Sequence, residues 1–339
     1  MTKPRVYVSR IIADEGLDLL REVCQLHVWQ QRELMPRDVQ LKLFADCNGL
    51  LTTTDIKVDA QLLEACPTVK VISNQAVGYD NIDIAACTAA GVPVGHTPDV
   101  LTETTADLAF ALLLASARRL AEMVEWVKQD RWTPERGMLE NLGTDVHHAT
   151  LGIIGLGRIG REVARRAAGF NMTILYHDIR RDMQAEQEFA ARYVDKEELL
   201  RRSDFVSLHL PLAADTYHYI GPDELKLMMP SAILINSARG QIVDQAALLN
   251  ALQNGRIAGA GLDVTDPEPM RSDDPLLALP QVTILPHIGS ATLKTRAKMA
   301  QRAAQNLINA LNGQPMISCV NPEAFGKGRS ASLYTGEPI

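Results

Sequence analysis

Short apolar runs alternate with amphipathic segments along the first hundred residues. Segment 16–23, for example, places its apolar residues at helical spacing, whereas the runs themselves are short and bounded by turns. This alternation is typical of parallel strands that are joined by helices. The predicted strands lie in RVYVSR, QLHVW, GLLTTT, KVISNQ and GVPVGH.

A second series of the same kind begins near residue 150. Most of its runs are apolar on both faces, as expected for strands that helices cover on each side. These predicted strands lie in TLGIIG, MTILYHD, DFVSLHLPL, AILINSARG, AGAGLDV and VTILPHI. Helical spacing also predicts one helix over residues 102–129. A last predicted helix begins at Leu293, stops at Gly313 and is expected to lead the chain back to the first domain.

The chain is therefore predicted to be an α/β protein with two doubly wound parallel-sheet domains. Its 339 residues exceed the usual size of one domain. We assign residues 1–100 and 290–322 to the first domain and residues 101–289 to the second. Residues 323–339 are rich in Gly, Ser and Thr without a periodic pattern, and we expect them to form a mobile tail.

Charge and cysteine content narrow the expected partners. The formal net charge of −7 leaves no basic footprint for nucleic acid or a membrane surface, so a small molecule is the expected partner. The five cysteines are odd in number, scattered and free of CxxC spacing, which favours a reducing cytoplasm over disulfides or a zinc site. The longest apolar run, residues 108–117, is too short to cross a bilayer, and we expect no targeting segment.

A glycine-rich motif follows the first strand of the second series. The sequence GLGRIG occupies residues 155–160, and REVARRAAGF after it patterns as a helix. A strand, a tight turn and a helix in this order present free backbone N–H groups to a pyrophosphate, and Gly157 lets the backbone approach it. We therefore expect Gly155, Gly157 and Gly160 to bind a dinucleotide in a Rossmann-type domain.

Asp178 ends the next predicted strand, eighteen residues after Gly160. A carboxylate at this place can accept hydrogen bonds from the hydroxyls of the adenosine ribose, which favours NAD. The same carboxylate would repel a 2′-phosphate, although Arg180 and Arg181 could offset part of the repulsion. NADH is the expected cofactor, and NADP stays open as a second one.

Three charged or titratable residues stand at the ends of other predicted strands. Arg239 closes AILINSARG, Glu268 follows AGAGLDV in the turn TDPEP, and His287 closes VTILPHI. Ligands of open α/β sheets bind beyond the carboxyl ends of the strands, so these three side chains could converge beside a nicotinamide. Each taken alone also has a structural explanation, as a surface charge, a turn residue or a solvated histidine.

Six motifs resemble the D-isomer-specific 2-hydroxyacid dehydrogenase family, and within it the glyoxylate/hydroxypyruvate reductases. The resemblance spans about residues 5–322, with the motifs in the family's order and spacing. They are VGYDNID at 77–83, TTADLA at 104–109, GIIGLGRIGR at 152–161, INSARGQIVD at 235–244, AGAGLDVTDPEP at 258–269 and LPHIGSAT at 285–292.

The resemblance implies a role for each matching residue. Arg239, Glu268 and His287 would be the catalytic set, and Val77 and Gly78 would offer backbone N–H groups to the substrate carboxylate beside Arg239. The first domain would bind substrate and the second NAD, with the active site in the cleft between two Rossmann-like domains and a homodimer as the usual assembly. The further cofactor positions would be Thr105, Arg158, Ile159, Asp178, Pro211, Ser237 and Asp263, the last near the nicotinamide carboxamide.

These roles imply reduction of a small 2-keto acid to a D-2-hydroxy acid. Hydride delivery to the carbonyl carbon builds negative charge on oxygen, which needs a positioned proton donor such as His287. A hydrogen-bonded carboxylate such as Glu268 would favour the protonated ring and fix its orientation. The planar donors of Arg239 would bind the carboxylate and polarise the carbonyl. No metal ion is required.

Two alternatives stay open, a phosphite dehydrogenase and a binding scaffold. Phosphite dehydrogenases resemble this chain, but the lysine that they carry at the position of Val77 is missing here, which counts against phosphite as the substrate. Formate dehydrogenases carry a glutamine at the position of Glu268, which counts against formate. Corepressors of the C-terminal-binding-protein class share the fold, the cofactor and the Arg, Glu and His set, yet act mainly as dinucleotide-gated scaffolds. Among the reductases, specificity is open because residues 52–54 and 132–143 depart from the familiar pattern.

Overall fold

The computed structural model describes residues 3–333 and divides into two compact units. One unit contains the residues up to Leu101 and those from Ala291 onward, and the other contains Thr102–Ser290. The last helix, Leu293–Leu311, belongs to the first of these units.

Each unit is built on a parallel sheet. Within residues 3–333 the first unit has a five-stranded sheet of order β2-β1-β3-β4-β5, and the second a seven-stranded sheet of order β12-β11-β10-β9-β6-β7-β8. The strands are β1 (Arg5–Val8), β2 (Gln25–Val28), β3 (Gly49–Thr52), β4 (Val71–Asn74), β5 (Val94–Gly95), β6 (Thr150–Ile154), β7 (Thr173–His177), β8 (Arg192–Tyr193), β9 (Phe205–Leu208), β10 (Ile233–Asn236), β11 (Gly259–Leu262) and β12 (Val282–Ile284).

Helices connect the parallel strands. They are α1 (Asp14–Val23), α2 (Arg37–Phe44), α3 (Ala60–Ala65), α4 (Ile84–Ala90), α5 (Thr102–Ala117), α6 (Leu120–Lys128), α7 (Arg158–Gly169), α8 (Met183–Phe189), α9 (Lys196–Arg202), α10 (Pro222–Leu227), α11 (Gln245–Gln253) and α12 (Leu293–Leu311). Aspartate side chains accept hydrogen bonds from the first-turn N–H groups of several helices, which fixes where those helices begin. The capping residues are Asp59, Asp83, Asp182, Asp195 and Asp244.

Both faces of each sheet are covered by apolar side chains. In the first unit, α1 and α12 pack on one face through residues such as Leu20 and Leu307, while Phe44 and Leu62 pack on the other face. In the second unit, α5 and α7 cover one face and α9, α10 and α11 cover the other. The strands β3, β4, β9, β10 and β11 are buried along their whole length, so their sequences are mostly apolar instead of alternating. The predicted α/β class with two parallel sheets is confirmed.

Two sequence-based expectations about secondary structure need correction. The single helix predicted over residues 102–129 is broken into α5 and α6, because Arg119 has a left-handed backbone (φ 52°) that a right-handed helix cannot continue through. The two-residue strand β8 was not predicted, since so short an element has no periodicity to detect.

The end of the chain also differs from the expectation of a mobile tail. Arg329 donates hydrogen bonds to the carbonyl oxygens of Leu63 (2.7 Å) and Cys66 (3.0 Å), and the neighbouring Ser330 is buried. The prediction of a mobile tail from residue 323 is therefore wrong as far as Leu333. The remaining residues of that tail, 334–339, lie outside the described residues.

Candidate active site

The glycine-rich turn lies between β6 and α7, and its three glycines have different reasons to be glycine. Gly155 has φ 91°, and a Cβ there would lie 2.8 Å from the carbonyl oxygen of His209. A Cβ at Gly160 would clash with the carbonyl of Gly155. Gly157, at the N-terminus of α7, has no protein atom within 4 Å of an added Cβ. The space in front of the helix N-terminus is therefore open to a phosphate group.

The carboxylate of Asp178 is held beside this turn. Its Oδ2 accepts the backbone N–H of Leu156 at 2.7 Å, and its Oδ1 accepts that of Arg180 at 3.2 Å. Asp178 follows β7, which pairs in parallel with β6, and the glycine-rich turn follows β6. Asp178 and the turn therefore lie at the same edge of the sheet. The carboxylate thus lies where a ribose bound next to the pyrophosphate would present its hydroxyls.

The other predicted cofactor residues occupy the same unit. Arg158 and Ile159 form the first turn of α7, the latter packed against the core. Pro211 lies in the exposed loop after β9, and Thr105 is buried on α5, where it packs against Gly289. Ser237, after β10, has a buried Oγ without a hydrogen-bond partner among residues 3–333. Together with the open space at Gly157, this unsatisfied hydroxyl fits a dinucleotide.

Arg239 is positioned by the turn that follows β10. The buried side chain of Asn236 donates to the carbonyl of Arg239 (2.8 Å) and accepts the N–H of Ala238 (3.0 Å). Gly240 lies so close to the carbonyl of Thr265 that a Cβ would clash with it, which packs the Arg239 turn against the turn leading to Glu268. Asn236 is a positioning residue that motif recognition alone did not single out.

Glu268 and His287 form a direct hydrogen bond. His287 Nδ1 lies 2.6 Å from Glu268 Oε1, and both side chains are partly exposed, at 36% and 39%. A carboxylate can only accept, so Nδ1 carries the proton and Nε2 is the ring nitrogen left for other chemistry. The strands before Arg239, Glu268 and His287 are the neighbours β10, β11 and β12, whose carboxyl ends form one edge of the sheet.

The backbone of the histidine loop is fixed by Asp263. The two carboxylate oxygens of this buried residue accept the N–H groups of Ile288 and Gly289, each at 2.8 Å, and its carbonyl accepts the N–H of His287 at 2.9 Å. His287 itself has φ 54°, a conformation that a side-chain-bearing residue adopts only when its surroundings hold it. Burial raises the pKa of Asp263, and the two N–H groups and His287 act against that rise.

A second histidine of the seven-stranded sheet is held neutral by burial. Burial lowers the pKa of His209 to about 4. Its Nε2 lies 2.9 Å from the hydroxyl of Ser207. His209 directly follows β9 and its carbonyl faces Gly155, so a neutral ring lies next to the glycine-rich turn.

The substrate residues suggested by the sequence lie in the other unit, in the loop after β4. The carbonyl of Val77 is 3.1 Å from His96 Nδ1, and the carbonyl of Gly78 accepts the side-chain amide of Asn74 at 3.0 Å. A trans peptide points its N–H opposite to its carbonyl, so the first contact directs the N–H of Gly78 away from His96. The loop therefore holds its peptide planes in fixed orientations.

No metal site accompanies these residues in the part of the chain that the structure describes. Residues 3–333 contain no group of three or more His, Cys, Asp and Glu side chains placed to hold a metal ion. The five cysteines are unpaired, and all except Cys319 are buried. None of the helices in this part of the chain is long and apolar enough to cross a membrane.

Comparison with known proteins decides the family. The family model described as D-isomer specific 2-hydroxyacid dehydrogenase, NAD binding domain, matches residues 110–289, more than half of the chain. The chain belongs to this family. The expected family and enzyme class are thereby confirmed: the protein is a D-2-hydroxyacid dehydrogenase, an oxidoreductase with an NAD-binding domain.

Relatives of this dehydrogenase align along nearly its whole length. Glyoxylate reductase of Korarchaeum cryptofilum is 47% identical over 321 residues, 95% of this chain and 97% of the relative. Glyoxylate/hydroxypyruvate reductase B of Klebsiella pneumoniae is 49% identical over 324 residues, 95% and 99% of the two chains. A crystal structure of the NADPH-dependent glyoxylate/hydroxypyruvate reductase of Sinorhizobium meliloti, in complex with NADP and malonate, superposes with a TM-score of 0.83 at 33% identity, covering 96% and 98%.

Proposed function

We propose that this dehydrogenase reduces glyoxylate to glycolate and hydroxypyruvate to D-glycerate, with NADH as the preferred cofactor. The observation that carries the proposal is the 2.6 Å hydrogen bond between His287 Nδ1 and Glu268 Oε1. This histidine and glutamate pair lies at the carboxyl edge of the seven-stranded sheet, and β6 of the same sheet leads into the glycine-rich turn. The names of the two relatives that are nearly half identical to this chain support the choice of substrates.

The bound cofactor supplies a hydride to the carbonyl carbon of the substrate, and the side chains of this chain manage the proton and the charge. Because Glu268 accepts a hydrogen bond from Nδ1–H, His287 directs Nε2 to the substrate oxygen and donates the Nε2 proton there. In the reverse direction, the same nitrogen takes the hydroxyl proton. Arg239 binds the substrate carboxylate and polarises the carbonyl with its planar donors.

In this proposal the substrate carboxylate also accepts hydrogen bonds from backbone N–H groups, in addition to the side chain of Arg239. We assign this role to the backbone N–H groups of Val77 and Gly78, because the hydrogen bonds to His96 and Asn74 hold the peptides of this loop in place.

Cofactor preference depends on Asp178. A carboxylate bonded to the N–H of Leu156 can accept a ribose hydroxyl and repels a 2′-phosphate, which favours NADH. The Sinorhizobium meliloti relative is described as NADPH-dependent, so the family accommodates both dinucleotides. The remaining cofactor residues in the proposal are Thr105, Gly155, Gly157, Arg158, Ile159, Gly160, Pro211, Ser237 and Asp263.

The experiment that tests the proposal follows NADH absorbance with glyoxylate, hydroxypyruvate, pyruvate and longer 2-keto acids, and repeats the best substrate with NADPH. We expect the fastest NADH oxidation with glyoxylate and hydroxypyruvate, and a higher kcat/KM for NADH than for NADPH. Absence of turnover with every keto acid, despite NADH binding, would contradict the proposal and favour phosphite oxidation or a dinucleotide-sensing scaffold.

We also propose that the enzyme is a homodimer that works in a reducing compartment such as the cytoplasm. Unpaired, buried cysteines support the second point. Exposed apolar side chains concentrated on α6 and the segment after it support the first, since patches of this kind mark interaction surfaces. They are Leu120, Val124, Val127, Trp132, Met138, Leu139 and Leu142. Light scattering after gel filtration measures the mass, and a monomer at micromolar concentration would contradict the dimer.

A further inference from the structure

The turn between β7 and α8 contains two arginines close to the ribose-binding carboxylate. Arg181 is three residues after Asp178, so the two Cα atoms are at most about 10 Å apart even in an extended chain. The chain is in fact curled, because Asp178 Oδ1 accepts the N–H of Arg180 at 3.2 Å. The side chain of Arg181 is thus within range of a phosphate on the adenosine ribose.

Glu186 holds Arg181 in a different direction. Arg181 Nε donates to Glu186 Oε1 at 2.7 Å, and its Nη2 donates to Oε2 at 2.8 Å, which is the two-point geometry that suits a carboxylate best. Arg181 is well exposed at 59%, whereas the Glu186 side chain is exposed only at 15%. The carboxylate is therefore the fixed partner of the pair, and the arginine follows it.

Tyr176 explains why Glu186 is fixed. The fully buried Tyr176, in β7, donates its hydroxyl to Glu186 Oε1 at 2.8 Å and accepts the N–H of Asp182 at 2.8 Å. Burial raises the pKa of Tyr176 to about 12, so the hydroxyl stays a donor. The hydrogen bond from Arg181 lowers the pKa of Glu186, which keeps the carboxylate charged.

The far end of the turn is anchored to the dinucleotide-binding helix. Asp182 accepts the N–H of Ala185 at 3.0 Å as the cap of α8, and it accepts Nη1 of Arg161, on α7, at 2.6 Å. The turn from residue 178 to 182 is therefore attached at one end to the glycine-rich turn and at the other to α7. Within this turn, the direction of the Arg181 side chain depends on its ion pair with Glu186.

We propose that Glu186, fixed by Tyr176, is a specificity residue that withholds Arg181 from the adenosine 2′-phosphate and so disfavours NADP(H). The inference rests on the proposed use of a nicotinamide dinucleotide and adds a residue that does not touch it. Asp178 excludes the phosphate by its own charge, whereas Glu186 acts by occupying the cation that would otherwise bind the phosphate.

The test compares the dissociation constants of NADPH and NADH by fluorescence titration of Glu186→Gln. Glutamine keeps an oxygen for the Tyr176 hydroxyl but loses the charge that holds Arg181. We expect the preference for NADH over NADPH to fall about tenfold, the value of one charge-assisted contact. The double variant Glu186→Gln/Arg181→Ala should lose this gain, because the released cation is then absent.

Glu188→Gln is the matched control. Glu188 lies on the same helix and accepts hydrogen bonds from Arg161 and Arg165 but not from Arg181. Its replacement by glutamine therefore removes an equal charge without releasing the Arg181 side chain. Its NADPH to NADH ratio should match the native ratio within about twofold. An equal shift in Glu188→Gln, or a gain that survives the double variant, would overturn the proposal in favour of a general charge effect.

Arg181→Ala provides a second test should Glu186→Gln fail to fold. An arginine that is already withheld from the cofactor can be removed without changing NADPH affinity. A loss of NADPH affinity in Arg181→Ala would overturn the proposal. Binding titrations need no substrate, so a native protein that binds both dinucleotides but reduces no 2-keto acid would refute the proposed function without bearing on Glu186.

Discussion

The five-stranded and the seven-stranded sheets are both parallel and flanked by helices, yet the polar residues at their strand ends serve different purposes. In the five-stranded sheet, Ser9, Thr52 and Asn74 are uncharged and bond between neighbouring strands and the residues that follow them: Ser9 accepts the N–H of Thr53, and Asn74 accepts the hydroxyl of Thr52 on the paired strand. In the seven-stranded sheet, the carboxylates Asp178 and Asp263 follow the strands β7 and β11. The uncharged residues of the first sheet thus connect strands, whereas the second sheet has charged side chains at its strand ends.

Glycines show the same contrast. Gly16, on α1, is glycine because a Cβ would lie 2.6 Å from the carbonyl oxygen of Ala300 on α12, so it serves the packing of two helices. Gly157 meets no protein atom within 4 Å, so packing does not explain it. The same architecture therefore has glycines with different structural reasons in its two units, so function must be argued from residues and not from topology.

The largest expected effect is on turnover, when the proposed proton donor of the seven-stranded sheet is removed. In His287→Ala, turnover of glyoxylate should fall by roughly 10²- to 10⁴-fold, because the proton donor is removed. The dissociation constant of NADH, measured by fluorescence titration, should stay within about twofold, since His287 is far along the sheet edge from the glycine-rich turn. Full retention of turnover would remove His287 from the mechanism.

The glycine pair should separate ligand binding from stability. Gly157→Ala should weaken NADH binding at least about tenfold, because the new methyl group occupies the approach to the N–H groups of α7, while the melting temperature stays unchanged. Gly16→Ala should lose about 1–3 kcal/mol of unfolding free energy and keep native NADH affinity. Titration and thermal melting of both variants measure this. An affinity loss in Gly16→Ala with none in Gly157→Ala would reverse the comparison.

A smaller effect is expected at the ribose carboxylate. Asp178→Ala removes the acceptor for the ribose hydroxyls and the charge that repels a 2′-phosphate, so the kcat/KM ratio of NADH to NADPH should narrow several-fold. Asp204→Ala, which removes a carboxylate bonded to the N–H of Thr150 in the same unit, is the control. An unchanged ratio in Asp178→Ala would show that the ribose binds elsewhere.

The smallest effect concerns stability and pH. His209 has a folded pKa of about 4 against 6.5 for a free imidazole, so between these values the unfolded chain binds a proton that the folded chain does not. This residue therefore lowers stability as pH falls, by about 2 kcal/mol between pH 7.5 and 5. Urea unfolding of native protein and His209→Gln at both pH values should show a smaller loss in the variant. Equal losses would contradict a neutral His209 in the folded protein.

Sequence patterns predicted the parallel sheets and the positions of Arg239, Glu268 and His287 after three strands, because apolar runs followed by a charged or titratable residue are visible in the sequence. The catalytic roles of these residues stay predictions. The open space at Gly157 agrees with the reasoning from the motif. The pairing of Tyr176 with Glu186, and of Asn236 with the Arg239 turn, could not be read in this way. Such contacts depend on how a turn folds back on a strand, which neither hydrophobic period nor motif spacing records.

Other misses have the same physical origin. The break at Arg119 depends on one backbone angle inside a sequence of good helix formers, and the packing of residues 323–333 depends on Arg329 finding carbonyl groups more than 250 residues earlier in the chain. The Gly-, Ser- and Thr-rich composition of residues 323–333 favoured a solvated tail. The tertiary hydrogen bonds that hold this segment are not visible in its composition.

The most direct test of the account is the oxidation of the two enantiomers of glycerate by NAD, followed as NADH formation at alkaline pH with a carbonyl trap to remove hydroxypyruvate. The account predicts NADH formation with D-glycerate and none above background with L-glycerate, and loss of the D-glycerate reaction in His287→Ala. Equal rates with both enantiomers, or no reaction with either one in a protein that binds NAD, would contradict it.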